Sequence, residues 1–217
     1  MTSIIEQIFR LGAENPEKIA LVEGKNCITY GEMLESIVFA KGILTEMYDL
    51  HKGDRVILAA DKQMEFVSVY FACHLLEVVT LPIAPDTNAK RYELIKSKMK
   101  PNLIVGFQDD SQEKQMVRLD AFSGLMSVPD LDDITFPQMD CVADIIFTTG
   151  TTGEPKGVQL SHRNIAAAAR NINMFIANTP DDVEMLALPI SHSFGLGRMR
   201  CALSNGQTLV MLGSFAN

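Results

Sequence analysis

The stretch DIIFTTGTTGEPKGVQLSH, residues 144–162, sets four threonines, three glycines, one proline and one lysine between two short apolar runs. Glycine tolerates positive φ and the close approach of another group, so Gly150, Gly153 and Gly157 let the backbone double back with its N–H groups turned into one concavity. Such a concavity suits an anion. Thr148, Thr149, Thr151 and Thr152 add hydroxyl donors, Pro155 stiffens the chain, and Lys156 brings a compact mobile charge of the kind that meets phosphate. The other reading of the same composition is a Gly-rich hairpin turn joining the strands DIIF and GVQL. Short hairpin turns need about two to five residues, whereas the polar run from Thr148 to Gly157 is longer and keeps four hydroxyls where fewer would serve. In the Walker phosphate loop the lysine is followed by Ser or Thr at the opening of a helix. Here Gly157 and the β-favouring VQL follow Lys156, which predicts a cradle between two strands.

Working outward, the pattern on both sides alternates strand and helix. IALVEG and CIT read as short strands, and TYGEMLESIVFAKGILTEMY reads as a helix in which Thr29 and Glu32 have the spacing of a capping box. DRVILAA, VVTLPIA and NLIVGF read as buried strands separated by the helices QMEFVSVYFACHLLE and TNAKRYELIKSKMK. Residues 108–140 break the pattern with an acidic, Pro- and Ser-containing stretch that reads as irregular connection. After the loop come the helix RNIAAAARNINMFIA, with Ser161 as its N-cap, the strand VEMLALP, a helix around GLGRMRCALSN and the strand QTLVMLG. Strict alternation predicts an α/β fold with a layered, mostly parallel sheet and helical crossovers.

Composition bounds the function. The chain has 217 residues, 47% of them hydrophobic and 21% charged, and a net charge of -8. An acidic chain without clustered Lys and Arg does not present a nucleic-acid surface. Its N-terminus, MTSIIEQIFRLGAENPEK, has helical apolar spacing interrupted by Glu6 and Gln7 and lacks the continuous apolar core of a signal peptide. No apolar run approaches the ~20 residues needed to span a bilayer, so an integral membrane segment is not expected. Cys27, Cys73, Cys141 and Cys201 lie far apart with no C-x-x-C pair, which suggests neither a zinc site nor a disulfide framework and fits a reducing cytoplasm. His51 and His74 have no partner at metal-ligand spacing, and no metal-ligating residues are assigned.

FTTGTTGEPKGVQLSHRN resembles the phosphate-binding signature of the adenylate-forming superfamily, which contains acyl-CoA synthetases, luciferases and the adenylation domains of nonribosomal peptide synthetases. ITYGEMLESIVFAKGI, the stretch from YFACHLLEVV to KPNLIV, and LALPISHSFGLG also resemble segments of that family, the last being the start of its acyl pocket. One departure is Thr149, where the family places a small residue before the first glycine. The resemblance implies ATP-dependent activation of a carboxylic acid: a carboxylate oxygen attacks the α-phosphorus, pyrophosphate leaves, and a thiol takes the acyl group from the adenylate. It implies that Lys156 and His192 serve catalysis, that Thr148, Thr149, Gly150, Thr151, Thr152, Gly153 and Lys156 hold ATP, and that His192, Ser193, Phe194, Gly195 and Gly197 face the substrate. The co-substrates and cofactors implied are ATP, Mg2+ and either coenzyme A or a carrier phosphopantetheine, and the partners are a small carboxylic acid and an acyl carrier protein.

Members of the family are more than twice this length, so residues 1–217 are expected to correspond to an N-terminal fragment of the AMP-binding domain, inactive by itself. Between Leu186 and Met199 the only ionisable side chains are His192 and Arg198. Neither would pair with a substrate ammonium, which favours a fatty or aryl acid. The alternatives are an amino-acid adenylation domain and a non-catalytic nucleotide-binding or interaction module.

Overall fold

Strand and helix alternate as expected in a computed structural model of the chain, which describes residues 1–107, 116–148 and 156–213. The strands are β1 (Ile19–Glu23), β2 (Asn26–Thr29), β3 (Arg55–Ala59), β4 (Val79–Ile83), β5 (Leu103–Val105), β6 (Met116–Val117), β7 (Val142–Thr148), β8 (Lys156–Ser161), β9 (Val183–Leu186) and β10 (Thr208–Met211). The helices are α1 (Ile4–Glu14), α2 (Tyr30–Glu46), α3 (Met64–Leu75), α4 (Ala89–Met99), α5 (His162–Ile176) and α6 (Ser193–Ser204). The layered, mostly parallel α/β arrangement is divided over two sheets, ordered β6-β5-β3-β4-β7-β8 and β2-β1-β10-β9. Among the described residues, only β1–β2 and β7–β8 pair antiparallel. Alternation does not say which strands join: β1 closes on β10, Leu21 opposite Leu209, across almost the whole chain. The described part of the irregular connection is largely as read, except that β6 adds a short edge strand to β5 and two 3-10 turns form at Leu119–Phe122 and Leu131–Asp133.

Local chemistry fixes the helix starts. Thr29 and Glu32 form the capping box anticipated for α2, and Ser161 caps α5 in a reciprocal box with Asn164. Helix α3 buries every residue from Phe66 to Leu75 and has no solvent-facing stripe, as expected of a helix apolar on all sides. No described helix is long and apolar enough to cross a membrane. Lys62, just after β3, joins the two sheets: its ammonium donates to the carbonyls of Ala187 and Leu212, at 2.8 and 2.7 Å, beyond the ends of β9 and β10.

The core also holds polar side chains. Asp144 on β7 is fully buried and accepts hydrogen bonds from Thr80, Tyr70 and Arg200. Burial alone would raise its pKa, but the charges of Arg200 and His74 and the hydrogen bonds from His74 and Thr80 outweigh it and hold the carboxyl well below the usual carboxylate range. His162, the first residue of α5, is 1% exposed and packs edge-on against His74, with ring centroids 5.1 Å apart. Neither of its ring nitrogens has a hydrogen-bond partner.

Burial, with the neighbouring His74, lowers the His162 pKa to about 3. The folded value lies below the unfolded value of about 6.5, so the stability held by the neutral ring is complete above pH 6.5 and is lost as pH falls toward the folded value. Asp144 contributes the same sense of change only below about pH 4. Stability measured by urea denaturation should therefore fall between pH 6.5 and pH 5 by about 1.1 kcal/mol per pH unit on average from this ring, the slope steepening toward about 1.4 near pH 5. His162→Leu should flatten that part of the curve, and an equal slope in parent and variant would show that the ring is not its source.

Candidate functional site

In parallel α/β sheets, ligands bind outside the carboxyl ends of the strands. The carboxyl ends of β4 and β7 open here onto a cleft of about 360 Å3. Pro82, Ile83 and Ala84 line it from β4, and Ile146, Phe147 and Thr148 from β7. Ser191, His192 and Ser193 line it from the entry to α6, and Thr87 and Arg91 from the start of α4. Pro82 helps to explain where the cleft lies. The pairing of β4 with β7 is the single bridge Thr80–Asp144, and Pro82, two residues on, has no N–H with which to continue it.

Strands β7 and β8 pair without a break from Asp144–Leu160 to Thr148–Lys156. The flanks of the Gly-rich segment are thus a hairpin, and seven residues, 149–155, connect them. Thr149, Gly150, Thr151, Thr152 and Gly153 lie in that connection, outside the described residues. Thr148 and Lys156 face each other at its base, where the Thr148 hydroxyl donates to the Lys156 carbonyl at 3.4 Å. Lys156 is exposed and has no ion-pair partner among the described residues.

His192 caps α6, its Nδ1 accepting from the Phe194 N–H at 3.4 Å. A turn closed by the His192 N–H on the Pro189 carbonyl, at 3.1 Å, sets it there. The structure thus brings Thr148, His192 and Ser193 to one cleft. Phe194 is 62% exposed and is not among the cleft-lining residues, nor are Gly195 and Gly197. Gly195 is buried where the first turn of α6 crosses the preceding loop, and a Cβ built there would stand 2.2 Å from the Pro189 oxygen. The site needs glycine at that position for close approach of backbone to backbone.

Sequence reasoning did not single out Thr87 and Arg91. Arg91 carried a signal: a cation in the first turn of a helix opposes the macrodipole and is unfavourable there unless it serves elsewhere. It is half-buried and lines the cleft. No Asp or Glu lines the cleft among the described residues, and these residues hold no group of three or more His, Cys, Asp or Glu able to bind a metal ion.

A family profile described as AMP-binding enzyme matches residues 8–217. The chain is 27% identical over 205 residues to the 2-succinylbenzoate–CoA ligase of Bacillus velezensis, covering 93% of this chain and 42% of the relative. It is 29% identical over 213 residues to the medium-chain fatty-acid–CoA ligase of Escherichia coli, covering 83% of this chain and 36% of the relative. The chain therefore spans about two-fifths of the length of these relatives. Its fold matches the solved O-succinylbenzoate coenzyme A synthetase of Bacillus subtilis in complex with AMP, with a TM-score of 0.85 and 23% identity over 97% of this chain and 56% of that one. The same synthetase in complex with ATP and a magnesium ion matches with a TM-score of 0.83 and 21% identity over 97% of this chain and 57% of that one.

Gly195→Ala should strain the entry to α6, because the added methyl meets rigid backbone and not a side chain that can turn away. The expected cost is about 1–3 kcal/mol in chemical denaturation, with movement of the His192 ring resonances. Gly197→Ala, where a Cβ meets nothing within 4 Å, is the control: inside α6 it should raise stability by about 0.5–1 kcal/mol and leave the His192 resonances in place. A Gly195 variant as stable as the parent would refute the close approach.

Proposed function

Because the chain belongs to the AMP-binding enzyme family, we propose that it forms the phosphate-holding and acid-facing walls of a site that activates a carboxylic acid with ATP and passes the acyl group to a thiol. The observation that carries this reading is the single cleft lined by Thr148, where the Thr/Gly-rich segment begins, and by Ser191, His192 and Ser193. Reaction at the α-phosphorus depends on positioning and on stabilising charge as pyrophosphate departs. In this proposal Lys156 and the Thr148 hydroxyl meet the phosphates, joined by Thr149, Gly150, Thr151, Thr152 and Gly153. His192 and Ser193 hold the acid where its oxygen can reach the phosphorus. Arg91 supplies a second positive charge for an anionic group of the nucleotide, the acid or the thiol substrate. Magnesium enters with the nucleotide, as a hard cation on phosphate oxygens, and no step here depends on a protein-held metal.

The acid proposed is fatty or aryl. Pro82, Ile83, Ile146 and Phe147 give the cleft apolar surface, and none of its described lining residues is a carboxylate that could offset the desolvation of an α-ammonium. Glu184, the carboxylate nearest in sequence to Ser191, His192 and Ser193, is taken by Arg198. The acceptor proposed is coenzyme A or a carrier phosphopantetheine on an acyl carrier protein, and the setting is the cytoplasm.

Two measurements test the proposal. Magnesium–ATP should bind the parent chain in calorimetry, and Lys156→Ala should weaken binding roughly ten- to hundred-fold, the worth of one charge-assisted contact of about 1.5–3 kcal/mol. Its melting temperature without nucleotide should not change, because the side chain is exposed. In pyrophosphate exchange with the chain joined to the remainder of a family member, straight-chain or aromatic acids should outperform their α-amino analogues. Preference for the amino acids would move the assignment to amino-acid adenylation.

A further inference from the structure

Three walls of the cleft run back into one buried carboxylate. Asp144 stands four residues before Thr148 on β7, Thr80 two residues before Pro82 on β4, and Arg200 eight residues after His192 on α6. Asp144 Oδ1 accepts from the Thr80 hydroxyl at 2.5 Å and lies 3.2 Å from His74 Nε2. Its Oδ2 accepts from the Tyr70 hydroxyl at 3.1 Å and from Arg200 Nη2 at 2.5 Å. Arg200 Nε donates to the Tyr70 oxygen at 2.8 Å, so two nitrogens of one guanidinium grip both Tyr70 and Asp144.

We propose that Asp144 and Arg200, bridged by Tyr70, are positioning residues for the cleft: their ion pair sets the spacing and rotation of α6 against β7, and so places His192 opposite Thr148. An apolar contact at the same place would hold the elements together yet let them slide. A planar guanidinium held at two nitrogens leaves α6 one orientation. Buried ion pairs are poor evidence of stability, since well-packed neutral replacements often hold a fold as well, and directional register is a better-attested use. The consequence for binding rests on the cleft being the nucleotide and acid site, whereas the geometric consequence does not.

The test replaces both charges at once, so that neither is left buried alone. Asp144→Asn with Arg200→Met keeps an acceptor for Thr80, sets the amide NH2 against the Tyr70 oxygen that Arg200 no longer occupies, and fills the volume of the arginine stem. In the full chain this double variant should fold with a melting temperature close to the parent's. The backbone amide resonances of Ile83, Ala84, Phe147, Thr148, Ser193 and Phe194 should nevertheless shift, while those of α1 stay in place. Magnesium–ATP affinity should fall roughly ten- to hundred-fold, as expected of a small misplacement. Arg200→Lys, which keeps the charge without the fork, should recover less of the cleft resonances than of the melting temperature. A folded double variant with parental cleft resonances would overturn the proposal, as would full recovery of those resonances in Arg200→Lys. Should the double variant fail to fold, Tyr70→Phe, which keeps the ion pair and removes only the bridging hydroxyl, decides by the same resonances: shifts support the proposal and their absence overturns it. If the parent itself binds no ATP, the functional reading fails while the resonances still decide the positioning role.

Discussion

The interaction on which the placement of the cleft walls depends is the carboxylate of Asp144, taken out of water and surrounded by donors from β4, α3 and α6. An isolated buried carboxylate would cost several kcal/mol, and it persists as an anion here because Arg200 and the hydroxyls of Thr80 and Tyr70 replace its hydration. That replacement constrains the fold. Thr80 must sit beside Asp144, which fixes the one bridge between β4 and β7, and Arg200 must reach across, which fixes α6 of the second sheet's layer against a strand of the first. Losing one partner alone would leave an uncompensated buried charge, at a cost of about 3–5 kcal/mol.

Around that fixed point the cleft forms where pairing ceases. β4 and β7 meet at Thr80–Asp144, Pro82 cannot extend the ladder, and both strands end within four residues of the bridge. The loop from Ala187 to His192 is held separately: Lys62 grips the Ala187 carbonyl, Ile190 is fully buried, and the Pro189 carbonyl both receives the His192 N–H and lies against Gly195. One wall of the cleft is therefore placed by a buried charge pair and a lysine clamp acting on opposite ends of the same segment. One restraint joins β7 to α6 and the other anchors the loop beyond β9, which is how a site composed of strand ends and loop residues acquires defined geometry.

Much of this was legible in the sequence because it is local. Helix starts at Thr29 and Ser161 were visible as a polar cap before an apolar period, and the strands flanking the Thr/Gly-rich segment were visible as short β-favouring runs. Thr148 and His192, to which function is proposed, stand out in the sequence through residue chemistry and resemblance to known motifs. What could not be read was non-local. Asp144, Tyr70, His74 and Arg200 are 56 or more residues from one another in all but the helical pair, and each alone reads as an ordinary residue of its element. His74 and Tyr70 read as part of an apolar helix, which they are, and their polar atoms acquire meaning only once β7 is packed beneath them. Arg91 was legible in principle, as a cation on the wrong end of a helix, but the anion it could serve is defined by walls drawn from elsewhere in the chain.

The charge balance shows why these short-range placements matter for a polyanionic ligand. A chain of net charge -8 repels a nucleotide at long range, but at physiological salt that repulsion is screened beyond about 8 Å. Inside that distance only the local arrangement counts. Arg91 lines the cleft and Lys156 stands at the base of the segment that Thr148 opens, and neither has an acidic partner among the described residues to neutralise it. By contrast Arg163, Arg198 and Arg200 are each paired with a carboxylate. The chain thus spends most of the arginines of its C-terminal half on its own carboxylates and leaves unpaired positive charge where the strand ends open. On the proposed reading, an anion at that place would be held by Arg91 and Lys156, cations without an internal carboxylate partner among the described residues, and not by the sign of the whole molecule.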